Sequence, residues 1–167
     1  MYKQLFIILL TWDITFENKN IGKIANALSN FYEISILIQN EGDQSPYKQY
    51  YLLPKSIKLL SILKYLKDSL FILKACSKGA IFISYKGYNI NIFLTILSFL
   101  LPIKLIIKTD SQKIIKRKSI KGKIRNFLMN LSFKKSILII TETKNLFDHY
   151  QSLFPKKDIL IYPNGVD

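Results

Sequence analysis

One carboxylate in this chain stands out by its isolation. Asp110 is the only acid between Asp68 and Glu142, an interval that holds fourteen Lys or Arg residues. It follows the run Ile103-Lys104-Leu105-Ile106-Ile107-Lys108-Thr109, which is short, Ile-rich and almost entirely apolar. That is the pattern of a strand buried in a parallel sheet. Open α/β sheets bind ligands outside the carboxyl ends of their strands, so Asp110 is expected at the working edge. It is the first choice for site chemistry, with Lys108 beside it as a substrate-binding residue. The competing structural role for Asp110 is a helix N-cap, or a partner for Lys108 or Lys113. Other reactive side chains are scarce. Cys76 and His149 are the only residues of their kinds. A disulfide framework, a cysteine-based metal site and a multi-histidine site are therefore excluded, and neither a metal nor a cofactor is expected. Cys76 reads as a small core residue and His149 as a structural one.

Charge points to the class of partner. The 167 residues carry 25 Lys+Arg against 11 Asp+Glu, a formal net charge of +14, and the sequence pI is near 9.8. Such a balance favours a polyanion: nucleic acid, an anionic membrane surface or a phosphorylated ligand. Part of the excess follows from a composition rich in Ile, Lys, Asn, Tyr and Phe. The densest cluster is Lys113, Lys116, Arg117, Lys118, Lys121, Lys123 and Arg125. It reads either as a solvated basic face or as a membrane-surface segment. In the second case each base near anionic lipid contributes on the order of 1 kcal/mol. Nucleic acid is the less favoured partner, because the bases lack interleaved aromatics and any recognisable RNA or DNA motif.

Strands and helices must position these residues. Gln4 to Leu10 reads as a buried first strand, and Thr11 to Asn20 as the loop after it. Ile21, Ile24, Ala25 and Leu28 carry a helical stripe. Ile34 to Ile38 is a second strand, and Tyr50 to Leu53, ended by Pro54, a short third. Leu59, Leu60, Leu63, Leu66, Leu70 and Leu73 line one side of a helix spanning Ile57 to Ala75. Ala80 to Ser84 is the fourth strand, and Ile90 to Leu101 an apolar helix stopped by Pro102. After the Asp110 strand, Ile120, Ile124, Phe127, Leu128 and Leu131 mark an amphipathic helix. Ile137 to Ile140 is a strand, followed by a helix with Leu146, Phe147, Tyr150 and Phe154 on one face and Thr141 or Thr143 as N-cap. Asp158 to Tyr162 is the last strand. This alternation specifies one α/β domain, a doubly wound parallel sheet. The twelve residues from Ile90 to Leu101, nine of them apolar, fall short of the roughly 20 that span a bilayer. With no convincing targeting segment, the expected location is cytoplasmic, leaning toward the inner face of the cell membrane.

The closing segment carries a resemblance. Tyr162-Pro163-Asn164-Gly165-Val166-Asp167, after a basic loop and helix, a strand, a capped helix and a short strand, resembles the N-terminal domain of family 4 retaining glycosyltransferases, which have the GT-B fold. There an (I/V)-x-N-G-V-D segment ends a Rossmann-like domain and enters the crossover to the second. The order of elements agrees over the whole chain, and the sharp part is Ile137 to Asp167. The resemblance implies residues 1–162 as an acceptor-side domain and 163–167 as the start of the crossover. It implies a nucleotide-sugar donor held mainly by a second domain absent from these residues, a glycan or lipid-linked acceptor, and a role in cell-surface polysaccharide synthesis. A chain holding only this half, by fragmentation, truncation or division of the enzyme, is expected to be inactive alone.

By the same resemblance Asp110 would accept a hydrogen bond from a sugar hydroxyl or orient the acceptor, since front-face transfer needs no enzyme nucleophile. Trp12 and Asp13 in the first loop are candidate substrate-binding residues: the aromatics there, Trp12 and Phe16, read first as simple packing and otherwise as stacking on a sugar ring. Asn164 and Gly165 would serve the site as hinge residues. Two departures stand beside this. Thr11 to Asn20 has no glycine where members commonly have a glycine-rich turn approaching the donor phosphates, and Asp110 stands where many members have His. Outside this class, the chain reads as a basic nucleic-acid-binding domain or as a non-catalytic partner for a separate donor domain.

Overall fold

The computed structural model describes residues 3–9, 20–38, 45–51, 59–85, 88–110 and 119–163. Among these residues seven strands form one sheet: β1 (Gln4–Leu9), β2 (Glu33–Ile38), β3 (Lys48–Tyr51), β4 (Ile81–Tyr85), β5 (Lys104–Thr109), β6 (Leu138–Thr141) and β7 (Ile159–Ile161). Their spatial order is β3-β2-β1-β4-β5-β6-β7, and every neighbouring pair is parallel. Five helices join them: α1 (Asn20–Leu28), α2 (Leu59–Ser77), α3 (Tyr88–Leu97), α4 (Ile120–Lys135) and α5 (Lys144–Leu153). This is a Rossmann-like α/β fold. The chain starts mid-sheet, builds outward to β3, then returns beside β1 and builds the other way. The two directions part between β1 and β4, the topological switch point where such sheets open a crevice.

Alternation along the strands divides the core into two layers. Leu5 and Ile7 of β1, Ile34 and Ile36 of β2 and Ile83 of β4 bury against Ala25 of α1. Phe6, Leu37, Phe82, Leu105, Ile107 and Ile139 point to the opposite layer. There they meet Ile72 and Cys76 of α2, Leu94 of α3, Met129 and Phe133 of α4, and Leu146 and Tyr150 of α5. Phe6 stacks on Phe82 at 5.0 Å and Phe133 lies 5.0 Å from the Tyr150 ring. Truncating one of these buried rings to Ala costs about 3–5 kcal/mol.

Local signals set several boundaries. The left-handed Gly79 (φ 79°) closes α2: its amide bonds the Cys76 carbonyl at 2.9 Å and the next amide, of Ala80, bonds Ala75 at 3.1 Å. This paired closure needs a residue at ease with positive φ. It carries α2 to Ser77, two residues past the apolar pattern that ends at Ala75. The third strand begins earlier than its apolar residues suggest, at Lys48, while Leu52 and Leu53 lie outside the described residues. Among the described residues β3 is an edge strand, paired with β2, and polar residues suit it there. α3 ends at Leu97 rather than Leu101, tightening into turns in which Phe99 bonds Ile96 and Leu100 bonds Leu97 before Pro102. Ser119 caps α4 through the Gly122 amide at 3.1 Å, and Thr143, one of the two expected caps, holds the Leu146 amide at 3.3 Å.

The stripe on α4 is turned mostly to solvent. Ile120, Ile124 and Phe127 are exposed, and the helix packs instead through Gly122, Met129, Ser132 and Phe133. α4 meets α3 at Ser132, whose hydroxyl accepts a 2.9 Å bond from Thr95.

Candidate functional site

The carboxyl ends of β4 to β7 bring together residues far apart in sequence. Tyr85 ends β4 and is in register with Lys108 on β5. Thr109 ends β5 and is in register with Thr141, which ends β6, and Thr141 with Ile161 on β7. The residues that follow the paired threonines are both acids, Asp110 and Glu142. Two carboxylates therefore leave neighbouring strands at the same level of the sheet edge. Tyr162 completes the row, its amide bonding the Thr141 carbonyl at 2.7 Å.

Lys108 is the unusual member. It is 2 % exposed, although a strand interior rarely buries a cation. Its Nζ lies 5.2 Å from the centre of the Tyr85 ring and 5.3 Å from that of Tyr162. Glu142 Oε1 stands 3.6 Å away. Two electron-rich ring faces and one carboxylate replace the water that the ammonium has lost. The cage spans β4, β5, β6 and the residue after β7, so it fixes the spacing of the edge on which Asp110 stands. On the other layer, Thr109 Oγ1 lies 3.3 Å from the buried Tyr150 hydroxyl, tying the end of β5 to α5.

Asp110 itself is half-buried just past the strand. The cap of α4 is Ser119, so capping that helix is not the role of Asp110. Glu142 is the residue that sequence reasoning missed. Its signal is the one that singled out Asp110: an acid directly after a short apolar strand, one strand over. Trp12, Asp13, Lys113, Lys116, Arg117, Lys118, Asn164 and Gly165 lie outside the described residues. Lys121 and Lys123 are exposed on α4 and Arg125 is half-buried there.

Cys76 and His149 lie away from this edge, on α2 and α5. Burial pushes the Cys76 thiol up to about 11, against the ordinary 9.0, so it is neutral and inert at physiological pH. His149 packs its ring edgewise 5.4 Å from Tyr150. Among the described residues no three His, Cys, Asp or Glu side chains gather as metal ligands, and no described helix is long and apolar enough to cross a membrane. A hollow of about 790 Å³ lined by Lys3, Glu33, Phe71, Lys74 and Lys78 opens at the amino ends of the strands. That is the edge opposite to the one where this kind of sheet binds ligands.

No protein-family model matches the chain, and no curated protein matches it in sequence. Among solved structures it is similar to the Anabaena protein Alr3699/HepE, crystallised in complex with UDP, with 14% identity and a TM-score of 0.61. The likeness covers 99% of this chain and 44% of HepE. The two share a fold, and the chain spans less than half the length of that protein.

Proposed function

We propose that this chain is the acceptor-side domain of a sugar-transferring enzyme of the two-domain GT-B kind, resembling the retaining family 4 enzymes. The observation that carries the reading is the edge from Tyr85 to Tyr162. It joins two strand-end carboxylates to a caged lysine directly before the Pro163-Asn164-Gly165-Val166-Asp167 segment that this class uses as a crossover. The likeness to a UDP-bound protein across nearly the whole chain, at under half that protein's length, supports a nucleotide-sugar partner and a second domain to hold it. Residues 1–162 then form the acceptor side and 163–167 lead into the crossover. The acceptor is a glycan or a lipid-linked glycan, and the setting is cell-surface polysaccharide assembly.

In this reading Asp110 accepts a hydrogen bond from the acceptor hydroxyl and orients its oxygen toward the donor, with no covalent intermediate. Glu142 and Lys108 are positioning residues: their pair, clamped between Tyr85 and Tyr162, sets where the chain leaves the sheet. Trp12 and Asp13, after β1, contribute further acceptor contacts, and Asn164 and Gly165 form the hinge. The test joins this chain to a donor-binding second domain and measures sugar transfer. Asp110→Asn lowers turnover about 100-fold or more, the usual range for a lost proton-handling group, while donor affinity holds. Near-normal transfer with unchanged acceptor affinity would remove Asp110 from the site.

A further inference from the structure

We propose that the outer faces of α2, α3 and α4 form a docking surface for an anionic lipid bilayer. This adds a surface to the membrane setting above, and it stands on exposure and charge alone. All three helices turn a periodic apolar stripe to solvent. On α2 the stripe is Leu63, Leu66, Leu70 and Leu73; on α3 and the turn after it, Phe93, Ile96 and Leu100; on α4, Ile120, Ile124 and Phe127. These are well-exposed side chains: Leu100 is 82% exposed, Ile120 78%, Leu70 67% and Phe127 66%. Their spacings of three and four residues keep each stripe on one face. The opposite faces, with Ile72, Cys76, Leu94, Met129 and Phe133, already supply the core. Ordered apolar stripes of this size on a surface mark an interaction site.

Charge identifies the occupant. α4 carries Lys121, Lys123, Arg125, Lys134 and Lys135 and no acid, and α3 carries no charged residue. The single acid on α2, Asp68, is buried, while Lys67 and Lys74 are exposed. By helical spacing, Lys121 and Lys135 flank the α4 stripe on one side and Lys123 and Lys134 on the other. Lys135 also places its ammonium 4.2 Å from the centre of the exposed Phe99 ring. Apolar side chains between flanking lysines match the headgroup region of a bilayer: the stripe enters the acyl boundary while the ammonium groups meet lipid phosphates. A second copy of the chain would bring the same lysines against each other, which disfavours self-association through this face.

The chain is tested by sedimentation with vesicles of phosphatidylcholine alone and of phosphatidylcholine with phosphatidylglycerol, at low and high salt. It is expected to sediment with the anionic vesicles, less at high salt, and to remain in solution with the neutral ones. The variants I124D/F127D and K121E/K123E, all at exposed positions, should each weaken partitioning about tenfold or more while leaving the thermal unfolding transition in place. Absence of binding, equal binding to both vesicle types, or variants that partition like the parent would overturn the proposal. So would a dimer, seen by light scattering, that I124D/F127D dissolves. The assay contains no sugar donor or acceptor, so its failure leaves the transfer reading untouched.

Discussion

Lys108 and Glu142 show how a strand can afford a buried charge. Each ion loses water, and the carboxylate and the two tyrosine rings help to offset that loss. Glu142→Ala is therefore expected to destabilise the fold by about 3–5 kcal/mol, since it removes the carboxylate that faces a buried cation. The double variant K108M/E142L should recover most of that loss, as measured by urea unfolding of the two variants against the parent. If Glu142→Ala unfolds like the parent, the pair is not structural. Cys76 offers a cleaner check, because its pKa is raised from 9.0 to about 11 by burial. At pH 8 the folded chain should react with a thiol reagent roughly 100-fold more slowly than the unfolded one, two pKa units being two decades of thiolate. The sign for stability follows from proton binding. Between pH 9 and 11 the folded thiol keeps a proton that the unfolded one has released, so this group's contribution to stability is present below pH 9 and is lost as pH rises. At the same scale, Asp110 was legible because acids are rare around it. Glu142 was not, because a second carboxylate becomes a neighbour only once β5 and β6 pair.

At the scale of elements, most strands were readable because a parallel sheet buries both faces and leaves apolar runs such as Leu105 to Ile107. The exception was β3, whose edge position lets Lys48 and Gln49 take part where periodicity sees no strand. Helix existence was also legible, but helix orientation was not. α4 buries Gly122, Met129, Ser132 and Phe133 and exposes Ile120, Ile124 and Phe127, so its core face is not the one that the apolar stripe marks. Helix ends were clearer. Gly79 has no atom within 4 Å of where a Cβ would stand, so Gly79→Ala costs only backbone strain. About 1 kcal/mol is expected, read as a lowered midpoint in urea with an unchanged slope. Thr143→Ala, which removes the cap of α5, should cost about 1 kcal/mol as well, and Thr143→Ser should restore it.

At the scale of the whole molecule, two surfaces differ in chemistry. The carboxyl edge of the sheet holds the caged lysine and two acids, and the helical layer beside it carries the exposed apolar stripes and lysines. An enzyme extending a lipid-linked glycan would need both, one for the acceptor's sugar and one for the bilayer that carries it. The central claim is that a sugar ligand binds at the carboxyl edge, and amide chemical-shift mapping tests it most directly. The labelled chain would be titrated with glycolipid acceptors and nucleotide sugars, with an oligonucleotide as control. Saturable shifts should gather at Tyr85, Thr109, Asp110, Glu142 and Tyr162 on addition of acceptor. An edge that stays silent toward every sugar ligand, while the oligonucleotide shifts the basic faces saturably, would contradict the account and make this a nucleic-acid-binding domain.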